Sequence, residues 1–229
     1  MKQQGGSDAA KRRAGEHAAA TVDDGDVVGL GSGTTAATAI GALGEAVDAG
    51  LDVEGVPTSY QSRQLAIDVG IPLTSLDAAD GVDVAIDGAD QVAVRALLKG
   101  GGAAHARERV IDAAADRFVV VVDSTKLTDR LSRPVPVEVL PDARPVVADA
   151  VAALGGSANL RGAERKDGPV VTDNGNLVLD CEFGPIEAPD ALATDLAELP
   201  GVLDHGLFVG LADEVVVGSA DGVDVERFD

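Results

Sequence analysis

Val27-Val28-Gly29-Leu30-Gly31-Ser32-Gly33-Thr34-Thr35 passes from an apolar run into a turn built of glycine and hydroxyl residues. Val27 to Gly31 reads as a short buried strand and Gly31 to Thr35 as a tight loop. Ala36 to Val47 then reads as a helix stopped by Gly50. Upstream, Ser7 caps an Ala-rich helix that runs through Thr21 and stops at Asp23-Asp24-Gly25. Downstream the same unit recurs, with a strand over Leu51 to Val56 and a helix over Ser59 to Val69, closed at Gly70. Strand Val82 to Ile86, helix Ala103 to Ala115 and strand Phe118 to Val122 follow. Strands that alternate with helices predict an α/β fold, a Rossmann-like, mostly parallel sheet with helices on both faces.

The texture changes after Lys126. Arg133 to Pro141 is a proline-bounded strand, and a helix from about Pro145 to Leu154 starts a new unit, which places a domain boundary near residue 132. Val170 to Thr172 and Leu177 to Leu179 flank Asp173-Asn174-Gly175-Asn176, a hairpin signal because Asn-Gly takes the positive φ of a tight turn. The expectation is a smaller α+β (ferredoxin-like) domain over 133–206. Leu207 to Leu211 and Glu214 to Gly218 are expected to return to the first sheet, so that 207–229 completes the domain of 1–132.

Composition narrows the function. With 39 Asp plus Glu against 18 Lys plus Arg, the net charge of −21 repels a polyphosphate backbone, and aromatic residues at 2% offer little stacking surface. Nucleic acid is excluded as the main partner. Asp outnumbers Glu 28 to 11 and Arg outnumbers Lys 13 to 5, a balance that fits concentrated salt, where screening weakens self-repulsion. One cysteine, Cys181, forms no internal disulfide, and no apolar stretch reaches the roughly 18 residues of a membrane span. Met-Lys-Gln-Gln-Gly-Gly-Ser at the start has no apolar signal region, so a cytoplasmic protein without a membrane partner is expected.

Three segments could carry chemistry. Gly31 to Thr35 opens a helix and offers backbone N–H groups to an anion, with the hydroxyls of Ser32, Thr34 and Thr35 as further donors around Gly33. It lacks the Lys of a P-loop, and a plain tight turn is the competing reading. Asp87-Gly88-Ala89-Asp90 releases two carboxylates at the carboxyl end of an apolar strand, where open α/β sheets bind ligands. A solvated acidic turn and a metal site compete with that, but His17, His105 and His205 show no ligand spacing. They read as surface or packing residues. Lys99-Gly100-Gly101-Gly102 leads into a helix, and each glycine lowers helix stability by roughly 1 kcal/mol relative to Ala. Their expected use is to let a ligand approach bare backbone N–H groups. Lys99 and Lys126 are the two lysines that follow strand-like runs, a cationic locus that suits a small anion. Glu108, about a turn and a half into the helix, borders its apolar arc, and partial burial would bring its pKa toward neutrality, as a general base needs. The alternative is an ordinary surface Glu beside an Arg. Arg107 falls nearer the middle of that arc and fits only a buried ion pair.

Taken in order, Gly31 to Thr35, Asp87 to Asp90, Lys99 to Ala104 with Arg107-Glu108, and Asp123-Ser124-Thr125-Lys126 resemble the type A ribose-5-phosphate isomerase family. Pro136 to Val139, Val171 to Asn176 and Pro200-Gly201-Val202 extend the resemblance over nearly the whole chain, and Thr125 stands where the family often has Ser. The resemblance implies interconversion of ribose 5-phosphate and ribulose 5-phosphate through an enediolate, with no metal and no organic cofactor. It implies Glu108 as base, Lys99 and the N–H groups of Gly100, Gly101 and Gly102 at the oxyanion, and Asp87 in ring opening. Asp90 would orient Lys99 and the substrate hydroxyls. The Asp87-Gly88-Ala89-Asp90 turn as a whole, Ser32, Gly33, Thr34, Thr35 and Lys126 would bind substrate, and which of these holds the phosphate stays open. It further implies a homodimer or homotetramer. A sugar-phosphate sensor would lack the base, and related sugar-phosphate isomerases or lactonases lack the Lys-Gly-Gly-Gly with Arg-Glu combination.

Overall fold

The computed structural model describes residues 7–228. The amino-terminal residues on which the missing signal region rests lie, apart from Ser7, outside the described residues. The elements in order are α1 Asp8–Ala19, β1 Val27–Leu30, α2 Gly33–Asp48, β2 Glu54–Pro57, α3 Tyr60–Asp68, β3 Val82–Gly88, β4 Gln91–Ala93 and β5 Ala96–Leu98. Then come α4 His105–Ala114, β6 Ala115–Asp123, β7 Val135–Val139, α5 Arg144–Ala153, β8 Ser157–Leu160 and β9 Leu177–Glu182. The chain closes with α6 Pro189–Ala197, β10 Val202–His205, β11 Leu207–Val209, β12 Glu214–Gly218 and β13 Val223–Arg227.

The chain forms two compact units. The larger holds residues up to Ala89, Arg107–Leu127 and Leu211 onward, around a six-stranded sheet in the order β13-β12-β6-β3-β1-β2. All neighbours in it are parallel except the β12–β13 pair. Successive residues of a strand face opposite sides of the sheet. Val28, Leu30, Val84, Ile86, Val119 and Val121 thus share one core with Ala14 and Ala18 of α1 and Ile40 and Leu43 of α2. Val82, with Val27 packed against it, meets Ile111 of α4 in a separate cluster. Helices cover both faces, as the alternation of strands and helices predicts.

The smaller unit holds Asp90–Ala106 and Thr128–Gly210. Its βαββαβ run from β7 to β10 forms an antiparallel sheet in the order β10-β7-β9-β8, the ferredoxin-like arrangement. Val137, Val139 and Leu179 of the sheet pack with Val147 and Val151 of α5 and Leu196 of α6. A three-stranded antiparallel sheet, β11-β5-β4, belongs to the same unit.

Three expectations change. The boundary near 132 gives way to a segmented one, because β4 and β5 pair with β11, and Ala96 and Leu98 join the smaller unit's core. For the same reason Leu207–Val209 does not return to the parallel sheet, although Glu214–Gly218 does. The Asn-Gly turn forms, with Gly175 at φ 85° and Thr172 N–H donating to the Asn176 carbonyl over 2.9 Å. Its first arm makes only a single bridge from Val171, and β9 pairs instead with β7 and β8.

Candidate functional site

In the larger unit the parallel strands β1, β3 and β6 end at Leu30, Gly88 and Asp123, and the loops that follow gather at one edge of the sheet. α2 begins at Gly33, earlier than its apolar pattern indicates, so Gly33, Thr34 and Thr35 form its first turn. Their N–H groups precede the helical hydrogen-bond ladder and suit an anion. Asp87 is fully buried and accepts from the N–H of Ser32 over 2.9 Å and of Gly88 over 2.6 Å. The structure thereby joins two motifs that lie 55 residues apart. Gly31 permits it, since a Cβ there would stand 2.3 Å from the Asp87 carboxylate carbon. Ser32 Oγ bonds to Thr58 Oγ1 over 2.9 Å and donates to Ser59 Oγ over 2.6 Å. Sequence reading passed over this hydroxyl cluster; the signal was Thr58-Ser59 directly after strand β2, with Ser62 completing a capping box on α3.

Lys126 closes a single 3₁₀ turn after β6 and is 9% exposed. The buried Asp123 caps that turn, accepting from Thr125 N–H over 3.0 Å. Glu108 lies in the first turn of α4, since that helix starts at His105 rather than Ala103, and it is buried, at 4% exposure. A helix amino terminus favours a negative charge there. Arg107 is half-buried and sits over the ring of Tyr60 at 5.7 Å, which replaces the expected buried ion pair with a cation–π contact. Tyr60 follows the carboxyl end of β2, so this contact brings the start of α4 to the edge where Ser32 and Asp87 lie.

In the smaller unit Lys99 is a buried cation, 2% exposed, with Nζ 5.4 Å from the centre of the Phe208 ring. Its N–H donates to the Gly206 carbonyl over 2.8 Å. Gly100 has φ 95° and no room for a side chain, because a Cβ would stand 2.8 Å from His105 Nδ1. The N–H of Gly101 donates to Asp90 Oδ2 over 2.7 Å, so that group is not bare as expected. Gly102 is exposed, with open space around its Cα. Of the histidines, His105 and His205 are buried and His17 is on the surface. Among the described residues no group of three or more His, Cys, Asp or Glu is placed to hold a metal ion, and no helix is long and apolar enough to cross a membrane.

A family model of ribose 5-phosphate isomerase A (phosphoriboisomerase A) matches residues 54–222. The ribose-5-phosphate isomerase A of Natronomonas pharaonis is 68% identical over 225 residues, covering 98% of this chain and all of that protein. That of Haloarcula marismortui is 69% identical over 222 residues, 97% of each chain. This chain belongs to the ribose-5-phosphate isomerase A family. As a member it is an aldose–ketose isomerase that interconverts ribose 5-phosphate and ribulose 5-phosphate. The solved structure from Methanocaldococcus jannaschii matches with a TM-score of 0.91 and 42% identity over 95% of this chain and 98% of that one. A D-ribose-5-phosphate isomerase in complex with phospho-erythronic acid matches with a TM-score of 0.93 and 43% identity, over 95% and 97%.

Proposed function

We propose that Glu108 is the base that moves the proton between C2 of ribose 5-phosphate and C1 of ribulose 5-phosphate. Moving the carbonyl by one carbon requires removal of the proton beside it and donors for the enediolate oxygens that then carry charge. Lys99 stabilises that charge, together with N–H groups of the Gly100–Gly102 loop, while the Gly101 N–H supports Asp90. Asp87 assists ring opening and shuttles the proton between the two oxygens, and Asp90 orients Lys99 and the substrate hydroxyls. Ser32, the first turn of α2 from Gly33 to Thr35, and Lys126 bind the rest of the substrate, including its phosphate. Gly88 and Ala89 carry the backbone past the sugar. No metal or organic cofactor takes part.

The observation that carries this reading is the burial of the two opposed charges it needs, Glu108 and Lys99, in a chain whose other charges mostly face solvent. A charge is withdrawn from water only where partners or a task compensate the desolvation. The acidic surface, read as adaptation to concentrated salt, keeps nucleic acid away. A cytoplasmic homodimer or homotetramer completes the reading.

Phospho-erythronic acid, the compound in the complex of the similar isomerase, has a phosphate and a planar anionic carboxylate, the charge and shape of an enediolate. It should bind this protein too. Glu108→Gln keeps size and hydrogen bonding but takes no proton from carbon, so kcat should fall by at least about a hundredfold. Affinity for phospho-erythronic acid should change little. A variant that keeps most of its kcat would remove Glu108 from the role of base.

A further inference from the structure

Arg161, just beyond β8, spends its guanidinium in two directions. Nε faces the Asp180 carboxylate at 2.9 Å and 3.2 Å, and Nη2 also pairs with Asp180. Nη1 is turned away from that carboxylate. It donates to the carbonyl of Gly100 over 2.8 Å and approaches that of Gly101 at 3.4 Å. A cross-strand ion pair between β8 and β9 needs only the first set of bonds. The second reaches about 60 residues back along the chain, to the loop that follows Lys99.

The peptide between Gly100 and Gly101 is trans and planar, so its C=O and N–H point in opposite directions. Its carbonyl edge accepts from Arg161 over 2.8 Å and from the Ala103 N–H, which closes the turn, over 3.0 Å, and its N–H edge donates to Asp90 Oδ2 over 2.7 Å. Glycines have the widest choice of backbone angles, and Gly100 at φ 95° has no side chain to restrict it. The Ala103 bond lies within the loop itself, so Arg161 is the bond that ties this carbonyl to the β8–β9 side of the smaller unit. Asp180, Arg161, the Gly100–Gly101 peptide and Asp90 thus form a chain of alternating acceptors and donors wholly inside the smaller unit. The Arg161 side chain is only 10% exposed, so little water competes for its bonds.

We infer that Arg161 is a positioning residue for the isomerisation. It fixes the glycine loop from the carbonyl side, so that the opposite edge holds Asp90 and the loop keeps Lys99 in place, and Asp180 fixes Arg161 by a paired contact. This rests on the reading that Lys99, Asp90 and the glycine loop serve the enediolate. Arg161 itself touches no reacting atom.

The test compares Arg161→Ala, Arg161→Lys and Asp180→Asn, with Lys99→Met in parallel and folding followed by circular dichroism. Misplacement of groups that act in the transition state lowers kcat rather than raising KM, and Arg161→Ala should lose about ten- to a hundredfold in kcat with KM within about threefold. Affinity for phospho-erythronic acid should fall by a similar factor to kcat/KM. Added guanidinium ion should restore part of the lost kcat in Arg161→Ala, which a general loss of stability would not allow. Arg161→Lys should keep the charge opposite Asp180 but lose the planar fork, so its kcat also falls. Asp180→Asn should lose less, in the same direction. A folded Arg161→Lys with wild-type kcat, or a loss confined to KM, overturns the inference. So does failure of both Arg161 variants to fold, which makes the residue structural. If Lys99→Met itself keeps kcat, the underlying reading of the loop fails instead.

Discussion

Cys181 lies in β9 with its side chain wholly buried, and burial, helped by the neighbouring Asp180 carboxylate, pushes its thiol from the ordinary 9.0 to about 12. The native state therefore holds a proton that the unfolded chain releases above pH 9. Stability is unaffected by this group below pH 9 and falls as pH rises from 9 toward 12, by up to about 1.4 kcal/mol per pH unit. Urea unfolding of the wild type and of Cys181→Ala at pH 8 to 10.5 should diverge in that direction. Equal pH dependence in the two would contradict it. The same cost of withdrawing charge from water applies to Glu108 and Lys99, both buried, and the proposed roles give each a use in which its charge or its proton is needed.

At the scale of elements, the loop after β1 and the end of β3 approach so closely that only glycine fits at position 31. Gly31→Ala would press a methyl group into the Asp87 carboxylate, 2.3 Å away, and break its bond from Ser32. The variant should lose at least about tenfold in kcat, as overpacking displaces groups held to within fractions of an ångström. Steady-state kinetics at unchanged wild-type activity would show that the loop yields without moving Asp87. The central strands of the parallel sheet were legible because they are short apolar runs closed by Gly or Asp, as at Val27–Leu30 and Val82–Gly88, whereas the antiparallel edge strand β13, Val-Asp-Val-Glu-Arg, carries too few apolar residues to show. The motifs Gly31–Thr35, Asp87–Asp90 and Lys99–Gly102 were legible because glycines and rare lysines stand out in a chain rich in Ala and Asp. The three-residue strands β4 and β5 were not, since at that length no period shows, and β11 was legible as a strand but not in its place, because its partner β5 lies over a hundred residues away. Arg161 was invisible for a related reason: its role lies in carbonyls about 60 positions distant, and no local pattern marks it.

For the whole molecule, a net charge of −21 sets a repulsive field against a phosphorylated sugar, while in the proposed site Lys99, Lys126 and the start of α2 would act at short range. The value of kcat/KM should rise as salt increases from low concentration, through faster capture and through a fold relieved of self-repulsion. Circular dichroism reports the second cause alone. A steady fall in kcat/KM with an unchanged fold would mean that local attraction dominates the approach. The central claim, proton transfer through an enediolate by Glu108 without a metal, is tested most directly by isomerisation in deuterium oxide with excess chelator, followed by proton NMR. The wild type should convert ribose 5-phosphate to ribulose 5-phosphate and place solvent deuterium at C1 of the ketose and C2 of the aldose, while Glu108→Gln should do neither. Turnover with no deuterium at either carbon, or labelling that persists in Glu108→Gln, would contradict the account.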